Sequence, residues 1–398
     1  MRYESVESAV KNLLPEKPLH VYRPAAIERA AQFFISKFSA NLNSKIMFAV
    51  KTNPEPIVLQ ELYQQGIRSF DVASLAEVEL VRGMFPDVSI YFMHTVKSRR
   101  AIREAYFTHG VRDFSLDSDD ELAKILTETG HAKDLNLYVR LAIPNNYAEL
   151  NLSGKFGVAL DLAPELLRKT RKVANRLGVC FHVGSQCMHP DAYRLAIRMA
   201  QRVIREGGVE VDALDVGGGF PSIYPGMHPP ALAEYFDAIH EETKSMVEKG
   251  CQLMCEPGRA LVAESGSVIT RVELRKGSHL YLNDGTYGSL FDAGFPQFVY
   301  PVRALRITGE CAANALPFSF FGPTCDTLDY MKGPFFLPED IAEGDYIEIG
   351  QLGAYSRSLV TNFNGFSPTE EIILVDDDPL MSMYNKTRQP QSAESLAA

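Results

Sequence analysis

Three things are scarce in this chain, and each scarcity narrows what it can be. Cysteine is one: 6 in 398 residues cannot make a disulfide framework. Cys180, Cys251 and Cys255 lie in apolar runs and read as small buried hydrophobes. The pair in "CQLMC" has no second cysteine pair or histidine cluster beside it, so no metal site is expected. Basic charge is also short. With 40 Lys and Arg against 50 Asp and Glu, the net charge of -10 argues against nucleic acid as a partner. Long apolar runs are the third: none approaches the roughly 18–20 residues of a membrane span. The opening "MRYESVESAVKNLLPEKP" has no apolar core of the kind a signal peptide carries, so a cytoplasmic location is expected.

What remains is an ordinary globular composition, 46% hydrophobic and 23% charged, in a chain long enough for one large or two medium domains. Eight short apolar runs read as strands: "KIMFAV" (45–50), "IRSFDV" (67–72), "VSIYFM" (88–93), "VRDFS" (111–115), "LNLYVRLA" (135–142), "GVCFHV" (178–183), "VEVDALDV" (209–216) and "CQLMCE" (251–256). Helical patterns lie between them. In "DAYRLAIRMAQRVIREGG", Leu195, Met199 and Val203, with Ala196, Ala200 and Ile204, predict one apolar helix face that ends at Gly207-Gly208. Strand–helix alternation implies a parallel sheet, and eight units suggest a closed (β/α)8 TIM-like barrel, with a doubly wound open sheet as the alternative. Beyond about residue 265 the chain turns to short β-rich segments such as "GSVITRVELRKG" and "GDYIEIG", which predict a mainly-β second domain. The expected division is a barrel over 27–265, a β domain over 266–383 and a disordered polar tail over 384–398.

In such a barrel the C-terminal strand ends build the active site. Lys51 follows the first strand, where Thr52-Asn53-Pro54 stops it. It is either a chain-end charge reaching solvent or an amine held in a pocket. Asp71 stands near the end of the second strand, Arg140 in the fifth, His182 in the sixth and Glu256 at the end of the eighth. The glycine run Gly217-Gly218-Gly219 follows the seventh strand and "EPGRA", with Gly258 and Arg259, follows the eighth. These loops commonly bind phosphate in this fold, although a glycine run alone can be merely a tight turn. A lysine and a phosphate site on one rim suggest pyridoxal 5'-phosphate held as a Schiff base. Glu256 is then the acid on the pyridine nitrogen, and His182 either stacks on the ring or is simply a core histidine.

The motifs "FAVKTNP", "FDVAS", "FHVGSQ", "DVGGGFP", "EPGR", "GPTCD" and "GAYS" resemble, in this order, the alanine-racemase-fold decarboxylases that use pyridoxal phosphate, and most of all the ornithine decarboxylases. The resemblance runs from about residue 20 to 375. It implies that Lys51 forms the Schiff base, that Glu256 meets the pyridine nitrogen and that His182 stacks on the cofactor. Ser185, Gly217, Gly218, Gly219, Gly258, Arg259 and Tyr355 match phosphate-holding positions, and Asp71 and Arg140 match residues near the cofactor. In similar enzymes the loop "GPTCD" enters the partner subunit's site. Cys325 would then protonate the α-carbon after CO2 leaves, and Asp326 would bind the substrate's distal amine. The resemblance therefore implies a homodimer with shared sites, in which Lys155 and Asp329 pair across the interface. It also suggests that residues 1–26 join the β domain.

One segment departs from the family. Ornithine decarboxylases carry a second aspartate for the distal amine shortly before "YP", after "DGxYG". Here "NDGTYGSLFDAGFPQFVYP" (283–301) has Phe295 and Pro296 there, with Tyr287 earlier and Asp292 as the nearest carboxylate. Either Asp292 swings in as the substitute, or Asp326 alone must hold the amine, which would favour another side-chain length or head group. Decarboxylation of L-ornithine to putrescine, for polyamine synthesis, leads the expectations. Lysine, arginine or another diamino acid remain open, as do a racemase, which would need a second base, and a non-catalytic relative, which would lose its cofactor contacts.

Overall fold

The computed structural model describes residues 1–39, 43–369 and 371–384. The chain forms two compact units: residues 31–221 with 229–258, and residues 1–30 with 222–228 and everything from 259 onward.

The first unit is built on a nine-stranded sheet in which every pairing is parallel. One end strand, Ser44–Ile46, pairs with Gln252–Cys255, while the other, Phe48–Ala49, pairs with Ser69–Val72. The two are halves of one segment, interrupted only at Met47, whose N–H still reaches the Cys255 carbonyl at 2.9 Å. The sheet therefore runs round on itself as a barrel, and the open-sheet alternative falls away. Its lumen holds the buried layer Met47, Tyr91, Met93, Tyr138, Cys180, Ala213 and Met254, the packed interior expected of a small barrel. Several helices on the outside begin at a serine cap: Ser74, Ser98 and Ser118 each accept the N–H of the residue three ahead. That satisfies a backbone donor that the first turn leaves bare.

Local readings shift in two places. The sixth and seventh strands are Arg176–Cys180 and Ala213–Asp215, so His182 stands beyond its strand rather than in it. The helix Asp191–Gly207 buries Ala192, Tyr193, Ala196, Ile197, Ala200 and Val203, while Leu195 is exposed. The apolar stripe is centred about one residue away from the expected face, because tyrosine and isoleucine supply it. The helix ends at Gly208, in the left-handed region at φ 60°.

The second unit centres on the long strand Gly266–Lys276, which pairs with Leu19–Tyr22, Tyr346–Ile349 and His279–Leu282. Leu19–Tyr22 lies parallel to Ile372–Val375, and Arg2–Tyr3 pairs in parallel with the other edge of that strand. The hairpin Ala315–Phe321 with Tyr330–Pro338 carries the "GPTCD" loop at its turn. Beneath the sheet Arg23 is buried and donates to Glu348 at 2.7 Å and to Ser267 at 2.8 Å. Of the tail 384–398, Tyr384 is fixed by a 2.6 Å hydrogen bond to the Ala260 carbonyl, and 385–398 lie outside the described residues. Among the described residues no helix is long and apolar enough to cross a membrane, and no group of His, Cys, Asp or Glu could hold a metal.

Candidate active site

Side chains alternate along a strand, so a residue two places beyond an inward one faces inward again. Two steps on from Tyr138, Cys180, Ala213 and Met254 stand Arg140, His182, Asp215 and Glu256. The sequence thus stacks a layer of charge directly on an apolar one. Lys51 and Asp71 join that layer: Lys51 Nζ lies 3.2 Å from Asp71 Oδ2, with the lysine side chain 43% exposed and the aspartate 3%. Lys51 is therefore neither dangling in solvent nor sealed away. It is the middle residue of a single turn of tight helix, Val50–Thr52, that carries it off the strand end. Its amine is held by a buried carboxylate and open on one side, as an attacking amine must be.

Glu256 lies opposite in chemistry. Burial first, and then the charges of Asp215 and Asp71, push its carboxyl well above the ordinary range. A carboxyl whose proton affinity is raised in this way suits a partner for a ring nitrogen, with which it can share a proton. The imidazole of His182 is held well below its usual value, by desolvation first and then by Arg140 and Lys51. Its Nδ1 accepts the Gly184 N–H at 3.0 Å, which fixes the ring's orientation and leaves Nε2 as the proton-bearing nitrogen.

The glycine run approaches this histidine closely. A Cβ on Gly218 would lie 3.1 Å from His182 Nε2 and 2.6 Å from the Glu256 carbonyl oxygen. Gly219 takes φ 101°, and a Cβ there would meet the Gly184 carbonyl at 2.3 Å. Tyr193, from the helix behind, donates to the Gly218 carbonyl at 2.9 Å and holds the loop down. Gly258 is equally tight, since a Cβ would sit 2.1 Å from Thr52 Oγ1. Ser185 opens the short strand Ser185–Cys187 beside these loops.

The remaining expected residues belong to the other unit. Arg259 is buried, with its guanidinium bonded to Tyr224 at 2.8 Å and Asp292 at 3.0 Å and lying over the ring of Tyr355 at 4.8 Å. Its Nε is buried with no hydrogen-bond partner among the described residues. Asp292 therefore corrects the sequence reading: it is committed to Arg259 and is not the substitute for the missing distal-amine aspartate. Asp326 does look outward, accepting Tyr287 Oη at 2.5 Å and the Leu328 N–H at 3.0 Å. Cys325 beside it is exposed, its N–H bonded to Asn364. The Asp329 carboxylate is buried and accepts Thr286 and Thr324, each through both N–H and hydroxyl, so within its own chain it fastens its loop.

Sequence reasoning missed Asp215 and His94. Asp215 was visible as the residue two before Gly217, on the inward parity. His94 follows the Ser89–Phe92 strand with its ring edge-on to Phe156 at 5.1 Å, and Arg140 and Lys155 lie over the same phenyl. Desolvation, then Lys97, Lys155, Lys51 and Arg140, lower its pKa.

These features fit pyridoxal phosphate. A bare-backbone cradle that any Cβ would fill lies against a neutral histidine, beside a carboxyl of raised proton affinity and a half-open lysine. Comparison with known proteins agrees. Residues 25–263, more than half of the chain, match the family "Pyridoxal-dependent decarboxylase, pyridoxal binding domain". The chain is 31% identical over 345 residues to the lysine/ornithine decarboxylase of Selenomonas ruminantium, covering 84% of each. It is 32% identical over 368 residues to the ornithine decarboxylase of Panagrellus redivivus, covering 85% of this chain and 82% of that one. Among solved structures, the arginine decarboxylase of Paramecium bursaria Chlorella virus bound to agmatine superposes with a TM-score of 0.81 at 27% identity, over 93% of this chain and all of that one.

Proposed function

We propose a substrate and a division of labour for this chain, which belongs to the pyridoxal-dependent decarboxylase family: it removes CO2 from a basic L-amino acid, with L-ornithine to putrescine first and L-lysine next. The observation that carries the reading is the inward layer of Lys51, Asp71, Arg140, His182 and Glu256 on one barrel rim. The names of relatives at about 30% identity support the substrate class.

The bound cofactor supplies an electron sink for the pair of electrons left when CO2 departs. Lys51 is the anchoring amine, and Asp71 orients it. Glu256 keeps a hydrogen bond on the ring nitrogen, and His182 offers a flat, neutral ring face. The N–H groups of Gly218, Gly219 and Gly258 would serve the phosphate, with Ser185 beside them, while Gly217 spends its own N–H on Asp215 and turns the loop. To these the family pattern adds Arg259 and Tyr355. Asp326, braced by Tyr287, holds the distal cation, and Cys325 Sγ delivers the proton to the α-carbon.

The loop bearing Cys325 serves a second copy of the chain in this reading. Leu328, 73% exposed, and Phe295, 84% exposed, are large apolar side chains of this unit left bare, as are Phe291, Phe363 and Phe366. A homodimer would cover them.

Arginine is a second reading with an observation of its own. With Asp292 committed to Arg259, Asp326 is left as the one assigned distal carboxylate. A planar guanidinium is satisfied by one carboxylate in a two-pronged bond, whereas a desolvated ammonium wants more acceptors. The deciding experiment is CO2 release by the purified protein with added pyridoxal phosphate, offered ornithine, lysine, arginine, 2,4-diaminobutyrate, meso-diaminopimelate and carboxynorspermidine. Preference for ornithine or lysine upholds the first reading and preference for arginine the second. A D-amino acid product without CO2 would turn the assignment to a racemase.

A further inference from the structure

Asp215 and Glu256 stand at the ends of neighbouring strands, registered so that Asp215 lies across from Met254. Both are buried, at 0% and 8% exposure. Asp215 Oδ1 accepts the Gly217 N–H at 2.9 Å. Its Oδ2 is buried too and completes no hydrogen bond with another described group, while the Glu256 side chain interacts with the Asp215 carboxyl. A bare buried carboxylate oxygen is costly, and native structures seldom keep one without a reason. The neighbour best placed to serve it is the carboxyl of Glu256. The other groups facing the pair are Asp71, Lys51 and Arg140, with the thiols of Cys180 and Cys255 and the neutral His182. Three carboxyls, all buried, against two cations that are only partly so leave one negative charge too many in the layer. Two acids this close then titrate as a unit, retaining one proton between them.

We propose that Asp215 is a positioning residue for cofactor binding: in the cofactor-free protein it holds the proton of Glu256 on its bare Oδ2, and the pair surrenders that proton when the cofactor's ring nitrogen takes its place. The inference rests on the assignment of Glu256 to that nitrogen. The balance is simple. The O–H bond of Glu256 breaks, the proton passes to solvent when the ring nitrogen arrives already protonated, or to the nitrogen when it does not, and nothing is oxidised or reduced. Asp215 thus does what the family pattern does not assign to it. It stores Glu256 in a neutral state so that an empty barrel need not carry a third buried charge.

The test counts protons. Pyridoxal phosphate is titrated into cofactor-free protein by calorimetry in buffers of different ionisation enthalpy near neutral pH, and absorbance of the bound cofactor reports uptake independently. Wild type is expected to release about one proton more per cofactor than Asp215→Asn, which keeps the side-chain volume and the acceptor for Gly217. The affinity ratio of the two proteins should accordingly change with pH, by up to about tenfold per pH unit. A merely structural role for Asp215 would weaken binding equally at every pH. Asp215→Ser, smaller and still an acceptor, repeats the test if the asparagine variant does not fold. Equal proton release in wild type and variant overturns the inference while leaving the cofactor assignment intact. So does a wild type that binds the cofactor with no release where the free ring nitrogen is protonated. A wild type that takes up no cofactor overturns the assignment itself, which its lack of colour would show.

Discussion

Asp292 and Arg259 form an ion pair at 3.0 Å with both side chains buried. The pair settles what Asp292 is for: it is the counter-ion of an arginine that Tyr224, Phe298 and Tyr355 enclose on their ring faces. Removing one partner of a buried pair leaves the other charge uncompensated, at a cost of about 3–5 kcal/mol. Asp292→Asn is therefore expected to lower the unfolding free energy by an amount of that order, seen as a lower denaturant midpoint at an unchanged slope. KM for ornithine or lysine should stay within about twofold among molecules that remain folded and hold cofactor. An unchanged midpoint with a large rise in KM would return Asp292 to the substrate.

Lys51→Ala should bind pyridoxal phosphate weakly, lack the absorbance band of the lysine imine and show no turnover. Asp71→Asn should keep the band but titrate it at a different pH, because the buried carboxylate at 3.2 Å is what favours the charged form. Survival of the band in the alanine variant would remove Lys51 from the chemistry.

Most of the barrel was legible because its strands are buried on both faces and so read as continuous apolar runs. The same property blurred their ends. Phe181 and Val183 continue the apolar run past Cys180 although the strand stops there, which is why His182 was placed inside a strand. The rim residues were legible from strand order alone, since each lies at or just beyond a run. Asp292 was not, because nothing in "LFDAGFPQ" says that its partner lies 33 residues earlier at Arg259. The anchoring role of Asp329 was hidden for a related reason. Its four donors come from Thr286 and Thr324, and only the folded loop brings them together.

Tyr287 donates to Asp326 at 2.5 Å, and the Leu328 N–H and this hydroxyl together hold the aspartate below its usual pKa. Asp326→Asn should raise KM for a basic substrate by far more than it changes kcat. Tyr287→Phe should raise KM about five- to tenfold, since it takes one hydrogen bond from a charged acceptor. It should also move the acid limb of kcat/KM to higher pH, because the anion loses a stabilising donor. Cys325→Ala should keep the cofactor and the KM while slowing turnover by about a hundredfold or more, the range of a lost general acid. A Tyr287→Phe enzyme with unaltered KM and pH profile would show that this face does not meet the substrate.

Glu264 ties the last described residues to the body of its unit: Ser382 Oγ donates to it at 2.6 Å, and so does the Met383 N–H. Burial pushes its carboxyl up to about 7, against an ordinary value of 4.5. Between those two values the folded protein keeps a proton that the unfolded chain has lost. Stability must therefore fall as pH rises through that window, by up to about 1.4 kcal/mol per pH unit. Glu264→Gln cannot titrate and still offers an oxygen to Ser382. The variant should match wild type at about pH 5 and exceed it by about 2 kcal/mol at about pH 8, once the wild-type carboxyl has been forced to ionise in a buried site. Urea unfolding of both proteins across that range decides the matter. A difference between them that does not change with pH would mean that Glu264 is already ionised at pH 5, paired more strongly with Ser382 and Met383 than its burial opposes.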